Sequence, residues 1–228
     1  MSPSTLFFSL VGGVLPTLFW LWFWLREDRL HPEPRSLIFL SFTWGMLVVL
    51  LALPLEQWMW NITSNMTLVI IGWAILEEVL KLVASYRGAL RDRANNEPID
   101  SLIYLITTAL GFAALENTLF LAGVFKTGGF VDGLDLGILR FVGATLLHVV
   151  SSGALGFFLA LGFYKRGSIK KIDAGVGLVV AIILHVLFNL FILKSEGNGL
   201  YTLTVFAFVW LAIILLLVGF EKIKQLKS

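Results

Sequence analysis

Apolar residues fill seven long stretches of the chain, and loops rich in polar residues separate them. A helix of about 20 apolar residues is long enough to cross a hydrocarbon core about 30 Å thick. The pattern therefore predicts seven transmembrane helices, over the spans Leu6–Leu25, Ser36–Leu55, Thr67–Tyr86, Ile99–Phe125, Gly137–Tyr164, Ala174–Leu193 and Leu200–Phe220. The first span has neither a basic segment before it nor a small-residue cleavage site after it, so we expect it to stay in the membrane.

Composition supports this fold class. Of the 228 residues, 58% are hydrophobic and 14% are charged, and a soluble domain could not bury so much apolar surface. We predict an all-α, polytopic membrane protein, a single integral membrane domain over residues 1–228 whose motif-bearing helices cover about 67–193. The chain has no cysteine, which excludes disulfides, a thiolate nucleophile and a cysteine-bearing metal site.

The basic residues of the loops alternate along the chain. The loops that would lie on one side of the membrane carry thirteen Lys and Arg residues, and those on the other side carry two. The positive-inside rule then places the N-terminus outside and the C-terminus in the cytoplasm of a multi-pass cell-membrane protein. Because this rule explains the basic residues, we infer the lipid bilayer and no nucleic acid as a partner.

The third span carries three charged residues within five positions, Glu77, Glu78 and Lys81. A charged side chain at the centre of a bilayer costs at least about 2.5–3.5 kcal/mol on insertion scales, so it is read as functional by default. On a helix Lys81 can reach either glutamate, three or four residues earlier. A purely structural ion pair is the alternative interpretation.

Three further spans each carry a polar residue near the middle of the membrane: Glu116, His148 and His185. At 1.5 Å per residue, all lie within about 6 Å of the midplane, and we expect them to converge with the third span on one polar site. The alternative is that each is a separate packing residue. One helical turn away, on the same faces, lie Phe112, Ser152 and Asn189.

These side chains can perform general acid and base catalysis on a water molecule. Our hypothesis makes Glu77 the general base, held by Lys81, with His148 orienting the water. His185 and Asn189 would then donate hydrogen bonds to the oxyanion. The same chemistry could use zinc held by His148, His185 and Glu77. No His-Glu-x-x-His motif is present, so we favour a site without a cofactor and keep zinc as the alternative.

The order of these motifs resembles the PrsW family of intramembrane proteases, a relative of the type II CAAX prenyl protease and bacteriocin-processing group. The motifs are Glu77-Glu78-x-x-Lys81, Phe112-x-x-x-Glu116-Asn117, His148-x-x-x-Ser152 and His185-x-x-x-Asn189, after a first loop that reads Asp28-Arg29-Leu30-His31-Pro32-Glu33-Pro34. In this chain Asp100-Ser101 stands where family members often have Asp-Gly.

The resemblance implies an intramembrane endopeptidase that makes the first, site-1-type cut in a single-pass membrane protein, typically an anti-sigma factor. It also implies glutamate-activated water, although some family names say metalloprotease. The catalytic set carried over is Glu77, Glu78, Glu116, His148, His185 and Asn189, supported by Lys81, Asn117 and Ser152.

Two other functions fit intramembrane carboxylates and histidines. A proton-coupled transporter would use them as a proton relay, although the chain has no repeated halves of the kind expected at carrier sites. A non-catalytic membrane scaffold of the same group would carry the same fold.

Overall fold

The computed structural model describes residues 2–28, 31–127, 130–195 and 198–226. Arg29 and Leu30 of the first-loop motif lie outside the described residues. The helices are α1 (Pro3–Glu27), α2 (Arg35–Ile62), α3 (Met66–Ser85), α4 (Pro98–Thr127), α5 (Phe130–Leu139), α6 (Thr145–Leu161), α7 (Ser168–Ser195) and α8 (Gly199–Ile223). Two π-helical segments, Tyr86–Leu90 and Arg140–Ala144, follow α3 and α5.

The fold is all-α and polytopic, as predicted. Across the described ranges, six helical stretches are long and apolar enough to cross a membrane: 3–27, 35–62, 98–127, 130–161, 168–195 and 199–223. The remaining long helix, α3, has 20 residues, but Glu77, Glu78 and Lys81 give it three charges near its middle. The composition of α3 alone therefore does not identify it as a membrane-spanning helix.

The fifth predicted span differs from the structure. We expected a loop over 126–136, but the chain is helical again from Phe130, and α5, the π-helical segment and α6 continue to Leu161 without a loop. The two Asp and two Gly residues of 130–137 lowered the apparent hydropathy there. Asp132 nevertheless lies in the first turn of α5, where a negative charge favours helix formation.

Two helix starts set the depth of the polar residues that follow them. The side chain of Asn65 caps α3, accepting hydrogen bonds from the backbone N–H groups of Thr67 at 3.1 Å and Leu68 at 3.3 Å. Before α7, Gly167 has a φ of +61°, which a glycine adopts without strain. These starts place Glu77 on the fourth turn of α3 and His185 just past the middle of α7.

Helix α4 is the centre of the fold. In its most apolar window 94% of the residues are buried, against 22% in α1, and it packs most extensively on α1, α2 and α6. Glycines allow the close approach to α2, since a Cβ on Gly45 would overlap the backbone carbonyl of Thr108. In the same way, a Cβ on Gly111 would overlap the carbonyl of Phe42.

The connection between α1 and α2 is held against the start of α4. The hydroxyl of Tyr104 donates a hydrogen bond to the carboxylate of Glu33. Burial and the nearby carboxylate of Asp100 raise the pKa of Glu33 to about 8. Burial and the neighbouring negative charge of Asp100 raise the pKa of Asp28 to about 6. Acidic groups are therefore crowded together at this end of α4.

Candidate active site

Four helices bring polar side chains into one buried cluster. Helix α3 contributes two carboxylates and an ammonium group, α4 a carboxylate and an amide, α6 an imidazole and two hydroxyls, and α7 an imidazole. Its members are Glu77, Glu78, Lys81, Glu116, Asn117, His148, Ser151, Ser152 and His185. The structure thus brings together the intramembrane polar residues that the sequence placed at one depth.

Glu78 is the best-bound member of this cluster. Its Oε1 accepts hydrogen bonds from Lys81 Nζ at 2.6 Å, His185 Nδ1 at 2.7 Å and Ser151 Oγ at 2.9 Å. Its Oε2 accepts a longer bond from Ser152 Oγ at 3.4 Å. A carboxylate with this many donors is held in one orientation and has little freedom to take a proton from water.

Lys81 neutralises Glu78 and does not hold Glu77. Our sequence hypothesis assigned Lys81 to Glu77, four residues earlier, whereas the structure pairs it with Glu78, three residues earlier. The reason is a second partner, because Lys81 Nζ also lies 3.0 Å from His148 Nδ1 across the helix interface. The lysine therefore joins α3 to α6.

Each imidazole has a carboxylate beside one nitrogen. His185 Nδ1 contacts Glu78, and since a carboxylate only accepts, this nitrogen carries the proton. His148 Nε2 lies 3.2 Å from Glu116 Oε2 and is protonated for the same reason. The other nitrogens, His185 Nε2 and His148 Nδ1, lie 3.8 Å and 4.0 Å from Glu77 Oε2. His185 therefore presents an unused lone pair near Glu77, whereas the lone pair of His148 Nδ1 accepts a hydrogen bond from Lys81 at 3.0 Å.

Glu77 differs from Glu78 in having an unused oxygen. The Glu77 side chain is buried, and its Oε2 has no hydrogen-bond partner among the described residues. A buried polar atom without a partner is costly, so such an atom points to a bound molecule or ion. Glu77 Oε2 is therefore the oxygen of this cluster that is left to bind a water molecule or an ion.

Glu77, His148 and His185 could also hold a metal ion. Each offers one ligand atom, and these atoms lie within 4.8 Å of one another. One carboxylate and two imidazoles form a catalytic zinc set that leaves a position open for water. The carboxylates beside both imidazoles are the supporting groups that metal-bound histidines commonly have. The donor set fits zinc, although Lys81 already donates to His148 Nδ1.

Arg140 is a member of this network that sequence reasoning missed. From the π-helical segment before α6, its guanidinium donates to the carboxylate of Glu116 and to the side-chain oxygen of Asn117. The Asn117 amide in turn donates to Thr145 Oγ1 at 2.9 Å. An arginine inside a predicted span was the available signal, but its position near the start of that span also suits an interfacial residue.

Asn189 and Phe112 lie at the edge of the cluster. Asn189 follows His185 by one turn of α7 and is half-buried, and it makes no side-chain hydrogen bond to another described residue. The ring of Phe112 lies 5.4 Å from that of His148 and 5.1 Å from Lys81 Nζ. Phe112 therefore covers one side of the cluster, and the role of Asn189 stays a prediction.

Comparison with known proteins identifies the family. Residues 33–218 match the family described as PrsW family intramembrane metalloprotease. The chain belongs to the PrsW protease family. The matched region contains every member of the polar cluster. The PrsW family resemblance of the motifs is thereby confirmed, and the protein is an intramembrane protease.

Three relatives named Protease PrsW match over most of their length. The one from Geobacillus kaustophilus (strain HTA426) is 28% identical, covering 97% of this chain and 93% of the relative. Those from Bacillus subtilis (strain 168) and Clostridioides difficile (strain 630) are 25% and 23% identical, covering 90% and 93% of this chain and 92% and 89% of the relatives. No solved structure matches the chain.

Proposed function

We propose that the protein hydrolyses a peptide bond of a membrane-protein substrate with a water molecule held beside Glu77. The observation that carries this proposal is the buried, unpartnered Oε2 of Glu77, which lies 3.8 Å from His185 Nε2, a nitrogen with no other hydrogen bond among the described residues. A carboxylate without other donors is free to take a proton, whereas Glu78 is bound by Lys81 and three further groups.

Glu77 acts as the general base. It takes a proton from the water as the water oxygen bonds to the scissile carbonyl carbon, and it returns this proton to the leaving amine nitrogen when the C–N bond breaks. His185 accepts the second hydrogen bond of the water at Nε2 and fixes its position. His148, which our sequence hypothesis gave this role, has its Nδ1 lone pair occupied by Lys81, so it positions Lys81 and Glu116 instead.

Asn189 donates to the oxyanion from one turn along α7. Our sequence hypothesis also gave His185 that role. Because Nδ1–H of His185 is directed at Glu78, its Nε2 is an acceptor, and we now assign the donor role to Asn189 alone.

The proposed site does not require a metal, but the same residues would hold one. Zinc bound by Glu77, His148 and His185 would lower the pKa of a bound water and polarise the scissile carbonyl. Lys81 argues for the metal-free form, because its ammonium group occupies the His148 nitrogen that lies nearer Glu77.

The substrate we propose is a single-pass membrane protein, and an anti-sigma factor is the specific candidate. The cluster is buried among helices of a membrane-spanning bundle, so the scissile bond must come to it from a segment within the bilayer. The PrsW resemblance supports the regulatory substrate class and the site-1-type cut. Family membership also favours proteolysis over the transporter and scaffold alternatives.

Cleavage of a tagged single-pass anti-sigma factor, co-expressed with each variant at matched protein levels, tests these roles. We expect Glu77→Gln to lower cleavage by about 10²-fold or more, because a general base contributes about 10²–10⁴ in rate. Asn189→Ala should lower turnover by about 10²-fold without displacing bound substrate. Glu221→Gln, at an exposed position in the last turn of α8, is the matched control.

Near-normal cleavage by Glu77→Gln would remove the base assignment and leave Glu78 as the next candidate. Full cleavage by the double variant Glu77→Gln/Glu78→Gln would end the protease mechanism proposed here and favour a scaffold.

The metal question has a separate test with purified protein in proteoliposomes. We expect activity to persist in chelator. Activity lost in chelator and restored by one equivalent of zinc would instead support zinc held by Glu77, His148 and His185.

A further inference from the structure

A second group of acidic side chains lies at the N-terminal end of α4, away from the active-site cluster. Asp28 follows the end of α1, Glu33 lies in the connection to α2, and Asp100 lies in the first turn of α4. One carboxylate oxygen from each residue lies within 4.8 Å of those of the other two. Sixteen residues of α4 separate Asp100 from Glu116, a distance of about 24 Å along a helix, so this group is not part of the active site.

The hydrogen bonds of this group leave one buried carboxylate oxygen without a partner among the described residues. Asp100 Oδ2 accepts the backbone N–H groups of Asn96 at 2.8 Å and Glu97 at 2.7 Å, and Tyr104 donates to Glu33. Asp28 is only 7% exposed, yet its Oδ2 has no hydrogen-bond partner in the described part of the chain. This buried oxygen is the observation that points to a ligand.

The charges of this group are also unbalanced. Among the residues that the structure describes, no Lys or Arg side chain lies within salt-bridge distance of the three carboxylates. Beside them is a cavity of about 510 Å³, whose lining includes Asp28, Glu33 and Arg35. Three clustered carboxylates in a partly buried position need a cation or bound protons.

We propose that Asp28, Glu33 and Asp100 form a binding site for a hard divalent cation of the Mg²⁺ or Mn²⁺ type. Carboxylate oxygens are the ligands that these cations prefer, and the absence of nitrogen and sulfur ligands among the three separates this site from a zinc site. The three ligands come from the end of α1, the α1–α2 connection and the start of α4. The cation would therefore stabilise the contact between the α1–α2 connection and the start of α4.

Manganese binding to the purified full chain in detergent tests this proposal. After removal of metals with EDTA, Mn²⁺ is titrated and the free ion is measured by electron paramagnetic resonance. We expect one saturable site that Mg²⁺ displaces and that Asp28→Asn weakens by about tenfold or more. Glu97→Gln, which changes a half-buried neighbouring acid outside the three proposed ligands, should bind as the wild type does.

A further variant distinguishes Mn²⁺ binding at the acidic group from Mn²⁺ binding at the active site. Glu77→Gln should retain the Mn²⁺ site, because Glu77 belongs to the other cluster. Loss of binding in Glu77→Gln but not in Asp28→Asn would assign the ion to the active site and overturn the proposal. Thus the two proposals can fail independently.

Thermal unfolding provides a second readout. Mg²⁺ should raise the unfolding midpoint of the wild type and not that of Asp28→Asn, since a ligand stabilises only the folded state that binds it. The proposal fails if the wild type shows no saturable Mn²⁺ binding, or if Mg²⁺ leaves the unfolding midpoint of the wild type unchanged.

Discussion

Arg140 should control cleavage through Glu116 without touching the substrate. Its guanidinium bonds to both Glu116 and Asn117 and lies 4.1 Å from the centre of the Phe120 ring. Glu116 in turn lies beside His148 Nε2 at 3.2 Å. Arg140 thus fixes the carboxylate of Glu116, and that carboxylate keeps the proton of His148 on Nε2. The nitrogen of His148 on the side of Glu77 is therefore the unprotonated Nδ1.

The informative substitution is Arg140→Lys. It keeps the positive charge, but a lysine cannot present the planar fork that reaches both partners at once. Loss of one hydrogen bond to a charged group costs about 1.5–3 kcal/mol, and a shift of about 1 Å at a catalytic group can cost about 10²-fold in rate. We therefore expect cleavage to fall by about 10-fold to 10²-fold. The loss of stability should be modest, because the positive charge is kept and water reaches part of both side chains, which are 13% exposed for Arg140 and 18% exposed for Glu116.

The assay measures cleavage of a tagged single-pass substrate at matched protein levels, together with the thermal midpoint in detergent. Arg26→Lys is the control, because Arg26 also lies over an aromatic ring, at 4.7 Å from Trp22, but outside the polar cluster. Equal activity of the two variants would refute a positioning role.

A double-mutant cycle with Glu116→Gln completes the test. If Arg140 acts through Glu116, adding Arg140→Lys to Glu116→Gln should cause little further loss of cleavage. Fully additive losses would show that the two residues act independently.

Three further predictions follow from packing and topology. Lys81→Met should lower the free energy of unfolding by about 3–5 kcal/mol, because it leaves the buried carboxylate of Glu78 without its cation, and an unchanged thermal midpoint would contradict this. Gly45→Ala should cost about 1–3 kcal/mol by forcing α2 away from α4, whereas Gly175→Ala, with open space around it, should leave the thermal midpoint nearly unchanged. A topology reporter should read as external at Asn61 and as cytoplasmic at the C-terminus, and a cytoplasmic reading at Asn61 would remove one span.

The helical fold and the convergence of the cluster could be predicted because the membrane restricts polar residues so strongly. A glutamate or histidine in the middle of an apolar span has few partners except another such residue, so depth along the helix is almost enough to group Glu77, Glu116, His148 and His185. The same reasoning gave six helices that are long and apolar enough to cross a membrane, although Asp132 and neighbouring glycines concealed the helix before α6. That α3 also crosses the membrane stays a prediction.

The choice of partners could not be predicted, because it depends on how helices face each other. Lys81 reaches residues three and four positions earlier equally well on an isolated helix, and only His148 on α6 decides between Glu78 and Glu77. In the same way, the carboxylates of Asp28 and Asp100 are 72 positions apart, and only the packing of α1 on α4 brings them together.

The central position of α4 links membrane insertion to the making of the catalytic cluster. In chain order α4 follows α1 and α2 but precedes α6, so Glu116 is synthesised before Arg140 and His148, the residues that bind it. Until then this carboxylate is a charge without a partner in hydrocarbon, which costs several kcal/mol. The later helices therefore stabilise the earlier one, and the catalytic cluster is complete only when α7 has brought His185 to Glu78.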